Sequence, residues 1–177
     1  VLELARANGL AVHLDGARLA NAVVASGSTF AELARGFDTA SICLSKGLGA
    51  PVGSVLASST DRIAEARVWR KRYGAGMRQV GILAAAGLYA LEHNVERLAD
   101  DHARARRLAE TLKADPDAVD TNIVILDVPD AATVAVKAAA EGVLVSALGP
   151  RFLRLVTHLD IDDAAVDHAI DVLAALV

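Results

Sequence analysis

Cysteine occurs once in this chain, at Cys43, so no internal disulfide framework and no cysteine-built metal site is available. Aromatic residues make up only 3%, too few for a platform that stacks single-stranded nucleic acid. The formal net charge is −4 and the basic residues form no stripe, which argues against nucleic acid as a partner. No apolar run reaches membrane-spanning length; the stretch from Ala84 to Leu91 is broken by Gly87 and Tyr89. The histidines are scattered, and no histidine-carboxylate set has metal-ligand spacing. Ser45 makes no nucleophile elbow with them, and there is no P-loop. Val1 to Ala7 reads as the tail of an amphipathic helix, not as a charged signal start, so the sequence reads as beginning within a fold. The expectation from these absences is a soluble protein of the reducing cytoplasm.

What remains is apolar bulk. Hydrophobic residues reach 54% of 177, many of them alanine, enough for one domain or one and a half with close helix packing. Asn8-Gly9 ends the first helix, and Leu10 to Asp15 is a short strand. Leu19 to Ala25 and Thr29 to Arg35 are short helical pieces. Ala40 to Ser45 and Gly53 to Ala57 are strands. Ser58-Ser59-Thr60-Asp61 offers caps to a helix that ends at Tyr73-Gly74-Ala75-Gly76. A strongly apolar helix follows, from Met77 or Arg78 to His93, and is expected to be buried, in the fold or at a subunit contact. From Asn94 to Lys113 the spacing predicts an amphipathic helix with Leu98, His102, Ala105, Leu108, Ala109 and Leu112 on one face. Asp115-Pro116-Asp117 marks the expected domain boundary. Beyond it, strands at 121–128, 143–147 and 152–157 and helices at 131–141 and 162–177 suit a small layered lobe with helices on one face of a short sheet.

One stretch stands out against this background. Ser45-Lys46-Gly47-Leu48-Gly49-Ala50-Pro51-Val52-Gly53-Ser54 places a single lysine in a glycine-rich, otherwise uncharged loop between two apolar runs. Small residues let a flat ligand approach the backbone. A lysine in apolar surroundings favours the neutral amine, a nucleophile towards carbonyls, so Lys46 reads as a Schiff-base lysine. The bland alternative is a strand, a turn and a solvated lysine.

Asp15 closes a strand just before Gly16. A carboxylate there can hold a proton on a ring nitrogen, or it simply caps the turn. Arg18 is positioned to orient it, or else is a surface arginine. Arg154 lies inside Phe152-Leu153-Arg154-Leu155-Val156, where its planar fork suits a substrate carboxylate, unless that strand face is merely exposed. Arg78, beyond Gly74 and Gly76, suits a phosphate, and Lys71 is a weaker candidate within the run Arg70-Lys71-Arg72. His13 falls on the strand face of Asp15, and His158 ends the Arg154 strand. His93, His102 and His168 read as structural.

In order, His13-Leu14-Asp15-Gly16-Ala17-Arg18-Leu19, Ser41 to Ser54, Gly76-Met77-Arg78-Gln79 and Arg154-Leu155-Val156-Thr157-His158 resemble the L-threonine aldolases of the low-specificity type. That family belongs to the fold type I pyridoxal-phosphate enzymes, and the resemblance covers essentially the whole chain. It implies an α/β fold: part of a large domain with a mostly parallel sheet, expected at 1–93, a connecting helix at 94–114, and a small carboxy-terminal α+β domain at 115–177. It implies pyridoxal 5'-phosphate as cofactor, with Lys46 its Schiff-base partner, Asp15 on the pyridine nitrogen and Arg18 beside the ring. Arg78 and Lys71 would approach the phosphate from a neighbouring subunit of a homo-oligomer, a dimer of dimers. Arg154 would hold the substrate α-carboxylate. The implied reaction cleaves a β-hydroxy-α-amino acid to glycine and an aldehyde, with no metal, nucleic acid or membrane involved.

The family's Gly-Thr phosphate loop, its ring-stacking residue and further histidines lie on a stretch preceding the residues matched here. The expectation is therefore that activity needs an amino-terminal part beyond these 177 residues. The same lysine, aspartate and arginine would serve a β-eliminating lyase or an aminotransferase. A non-catalytic assembly lobe is the remaining alternative.

Overall fold

The computed structural model describes residues 1–177, which form two compact units, Val1–Glu96 and Arg97–Val177. In the first, α1 (Leu2–Ala7) is followed by β1 (His13–Gly16), α2 (Leu19–Ser26), α3 (Phe30–Leu33), β2 (Thr39–Cys43), β3 (Ser54–Ser58), α4 (Thr60–Arg72) and α5 (Gly81–His93). The sheet runs β1-β2-β3: β1 and β2 are parallel, with Asp15 opposite Ser41, and β2 and β3 are antiparallel. It is thus a mixed sheet, and the lysine stretch joins its antiparallel pair. Thr29 starts α3 with a capping box, accepting from the Glu32 amide while the Glu32 carboxylate accepts from the Thr29 amide.

Two expectations about helices need correction. Ser59 occupies the N-cap position of α4, but its side chain caps nothing. The apolar helix α5 is not buried within this chain: only Gly87 and Ala90 are, while Ile82 is 82% exposed and Leu88 and Tyr89 are each 60% exposed. It also starts at Gly81, so Arg78 lies in the irregular segment before it. α4 has no buried residue and no apolar stripe; Arg62 ties it to Asp38 at 2.9 Å, and other contacts run along its own surface. Trp69 donates to Glu65 at 3.3 Å, stacks on Tyr73 at 5.8 Å between ring centroids, and lies beneath Arg72 at 4.9 Å.

The second unit contains α6 (Leu98–Thr111), a 3-10 turn (Pro116–Ala118), β4 (Ile123–Asp127), α7 (Ala131–Ala140), β5 (Ser146–Leu148), β6 (Phe152–Val156) and α8 (Asp163–Ala174). Its antiparallel sheet runs β4-β6-β5. Alternation decides its faces: Val124, Leu126, Leu153 and Leu155 are buried, joining Ala105, Leu108 and Ala109 of α6, Val134 of α7 and Val166 and Leu173 of α8. The division between units falls ahead of α6, because α6 packs on β4 and α8; Asp115-Pro116-Asp117 is a local turn capped by the Asp115 carboxylate. β5 is shorter than the run at 143–147 predicts, since the chain joins β6 only from Ser146. Asp130 and Asp162 cap α7 and α8 by accepting from the Thr133 and Ala165 amides. No helix is long and apolar enough to cross a membrane.

His102 lies on the half-buried flank of α6. Burial pushes its imidazole below the ordinary value of 6.5, against the pull of neighbouring Asp101. The folded state therefore prefers the neutral ring. That contribution is complete above 6.5 and is lost as pH falls through the lower folded value. Melting temperature should drop as pH falls from 7 to below 6.5, and His102→Gln should flatten that part of the profile. An unchanged slope in the variant would remove His102 as its source.

Candidate functional site

β1 and β2 run side by side and both end at the same edge of the sheet. Asp15 stands on β1 next to its last residue, and Lys46 follows β2 by three residues. Carboxyl ends of parallel strands are where α/β sheets collect ligand-binding groups. The backbone makes this possible at Gly16. A Cβ there would sit 1.8 Å from the Ser41 carbonyl oxygen, so only glycine lets the strands meet at this point. Asp15 is exposed, and one carboxylate oxygen accepts from the Ala17 amide at 3.1 Å, which fixes the turn. Arg18, half-buried, occupies the N-cap position of α2. His13 shares the Asp15 face and hydrogen-bonds the Thr39 hydroxyl at 2.7 Å through Nδ1.

The lysine loop is tightly closed. Leu44 donates to Gly53 at 3.0 Å, Ala50 to Leu44 at 3.0 Å, and Gly49 to Lys46 at 2.9 Å. Gly49 has φ +73°, a left-handed conformation that glycine adopts without steric cost. Leu44, Gly47, Leu48 and Ala50 are buried, but Ser45 and Lys46 are exposed. The apolar burial expected for Lys46 is not supplied by this chain: Leu44, Leu48 and Ala50 turn inward, while the lysine and Val52 are exposed. α5 backs the loop. A Cβ on Gly87 would meet the Leu44 side chain at 3.0 Å, and the Asn94 side-chain amide donates to the Leu48 carbonyl at 2.8 Å.

Lys71 and Arg78 are both exposed. The Lys71 stem runs along Gly76, 3.4 Å from where a Cβ would stand, so the last turn of α4 is folded against the segment that leads to Arg78. Arg154 belongs to the second unit and sits in the central strand β6, opposite Ile125 and Ser146. Its Nε is buried and has no hydrogen-bond partner. A buried, unsatisfied donor is costly unless an acceptor reaches it.

Residue-by-residue reading missed the polar anchor beneath that strand. Asp101 is fully buried and takes two hydrogen bonds from Arg97, the shorter at 2.7 Å. The Thr157 hydroxyl donates to the Asp101 carbonyl at 2.6 Å, and Asn122 donates to the Thr157 carbonyl at 2.7 Å. The i, i+4 spacing of Arg97 and Asp101 was the one local signal. The first unit offers an accessible amine and a carboxylate at the carboxyl ends of neighbouring strands; the second unit, by itself, holds an arginine whose Nε has no partner. Chemically, the first pair can hold a carbonyl compound covalently and keep a ring nitrogen protonated.

The Beta-eliminating lyase family matches residues 1–132. The chain is 50% identical over 164 residues to the low specificity L-threonine aldolase of Escherichia coli O157:H7, covering 90% of this chain and 49% of that protein. It thus spans about half the length of the curated relatives it matches. Among solved structures, Leishmania major threonine aldolase superposes with a TM-score of 0.74 at 24% identity, over 99% of this chain and 54% of that one. A structure described as SPT with PLP superposes with a TM-score of 0.71 at 18% identity, over 98% of this chain and 49% of that one. At such identities the superpositions speak to the fold alone.

Proposed function

The chain belongs to the beta-eliminating lyase family and has the α/β architecture of fold type I pyridoxal-phosphate enzymes, and from that premise we propose that its protein is a pyridoxal-phosphate-dependent carbon–carbon lyase. Its substrates would be L-threonine, L-allo-threonine and similar β-hydroxy-α-amino acids, cleaved to glycine and an aldehyde, as the names of its relatives suggest. The observation that carries the reading is the placement of Asp15 and Lys46 at the carboxyl ends of neighbouring parallel strands. The reading is of the whole protein, in which residues 1–93 form part of the large cofactor-binding domain and the carboxy-terminal lobe is the small domain.

The residues fit the cofactor in kind. Lys46 would hold it covalently, Asp15 would pair with its ring nitrogen, and Arg18 would lie beside the ring. Lys71 and Arg78, folded together at the end of α4, would take the phosphate of a neighbouring subunit in a cytoplasmic homotetramer. The exposed apolar side chains of α5 support such an assembly. When bound, pyridoxal phosphate supplies an electron sink for the pair released from the Cα–Cβ bond. Asp15 would keep a proton on the ring nitrogen by its negative charge. Arg154 grips the α-carboxylate through its unsatisfied Nε side and so fixes which bond at Cα stands ready to break.

Product analysis tests this. With L-threonine, the protein should release acetaldehyde and glycine in equal amounts; ammonia with a keto acid would instead assign it to elimination. Arg154→Ala should raise KM roughly ten- to a hundredfold, the value of a lost charge-assisted hydrogen bond, while visible cofactor absorbance persists. An unchanged KM would remove Arg154 from the substrate site.

A further inference from the structure

Lys46 is exposed, so packing does not fix its side chain. Its position depends on the loop backbone. Three of the loop's hydrogen bonds are internal to residues 44–53 and close it on itself. They shape the turn without saying where it stands. The contact that ties the loop to a distant element is the Asn94 amide, which reaches across 46 residues to the Leu48 carbonyl at 2.8 Å. Leu48 is only 2% exposed, so water cannot readily replace this donor. Asn94 is itself well anchored: it ends α5, with its own amide donating to the Ala90 carbonyl, and Ala90 is 1% exposed. Two turns before Asn94, Gly87 lies close against Leu44 at the other end of the loop. α5 therefore meets the loop on both sides of Lys46, sterically at Leu44 and by a hydrogen bond at Leu48.

We propose that Asn94 is a positioning residue, whose side-chain amide clamps the Lys46 loop and sets the reach of the lysine amine towards a carbonyl ligand. This rests on the reading of Lys46 as the cofactor lysine, but the clamp itself is separately measurable. A helix terminus is a suitable place for it, because an asparagine there can leave the helix hydrogen-bond ladder and donate elsewhere.

The test compares the parent protein with Asn94→Asp, which keeps the shape but replaces the donor with an acceptor facing a carbonyl. Two quantities are read: hydrogen exchange at the Gly49 and Ala50 amides, and the rate at which pyridoxal phosphate becomes attached to Lys46, trapped with borohydride and located by peptide mass. Exchange at the two amides should speed up by about tenfold, the cost of a lost buried hydrogen bond, and attachment should slow by a similar factor. Amides of the β1–β2 ladder should exchange as before. Exchange and attachment both at parental values would overturn the proposal, as would faster exchange with attachment unchanged. A parent protein that never labels at Lys46 would defeat the cofactor reading, while the exchange arm still decides whether Asn94 holds the loop. If the variant does not fold, the parent alone decides the clamp. Gly49 and Ala50 should then share the protection of the Ala90 turn of α5, and markedly faster exchange would overturn it.

Discussion

Lys46→Ala should give a colourless protein whose aldol-cleaving activity has fallen on the order of a thousandfold or more, since the covalent attachment point and its chemistry vanish together. The exposed position of Lys46 makes this result clean. Its side chain contributes no buried packing, so the variant should melt within about 0.5 kcal/mol of the parent. Loss of colour then cannot be blamed on unfolding. Absorbance scans before and after dialysis against pyridoxal phosphate, alongside a denaturant titration, make the measurement. A visible band that survives the substitution would assign the cofactor to another residue and undo the central assignment.

The second large effect is expected at Gly16→Ala. The reason is space, not backbone conformation. The new methyl would overlap the Ser41 carbonyl oxygen at 1.8 Å and crowd the Leu19 Cβ at 3.1 Å. Neither obstacle is the far end of a flexible side chain. β1 and β2 must part to admit it, at a cost of about 3 kcal/mol, the upper part of the range for overpacked sites. Asp15 precedes the wedge directly, so cofactor affinity should fall as well, even in protein that remains folded. Gly9→Ala is the natural control. Gly9 has φ +66° but nothing within 4 Å of an added Cβ, and it should cost only about 1 kcal/mol. Similar melting shifts for the two variants would mean that β1 and β2 yield easily at Gly16.

The sequence made some of this plain for identifiable reasons. The strands that carry Asp15 and lead to Lys46 were legible from short apolar runs and glycine placement, although β1 begins at His13, three residues later than Leu10, and β2 ends at Cys43, two residues before Ser45. The second unit was equally legible, because Val124, Leu126, Leu153 and Leu155 alternate with outward residues on β4 and β6. What escaped was long-range. Asn94 to Leu48 and Thr157 to Asp101 span 46 and 56 residues, and no local pattern announces a side-chain hydrogen bond across such distances. One expectation failed for another reason. A glycine-rich loop declares room beside Lys46, not that its own chain will enclose the lysine. The apolar composition of α5 calls for cover without saying whether its own chain or another subunit supplies it.

α4 also has an optical consequence. Trp69 is the chain's sole tryptophan, 43% exposed, with its indole N–H on Glu65 and its ring against Tyr73 and Arg72. Intrinsic fluorescence excited at the red edge of the indole band therefore reports from a single place on the molecule, the surface of α4 just ahead of Lys71. In this chain by itself that emission belongs to a wet indole open to collisional quenchers. Whatever covers this helix must shift it to shorter wavelength and shield it, so the protein carries its own dye for the occupancy of that face.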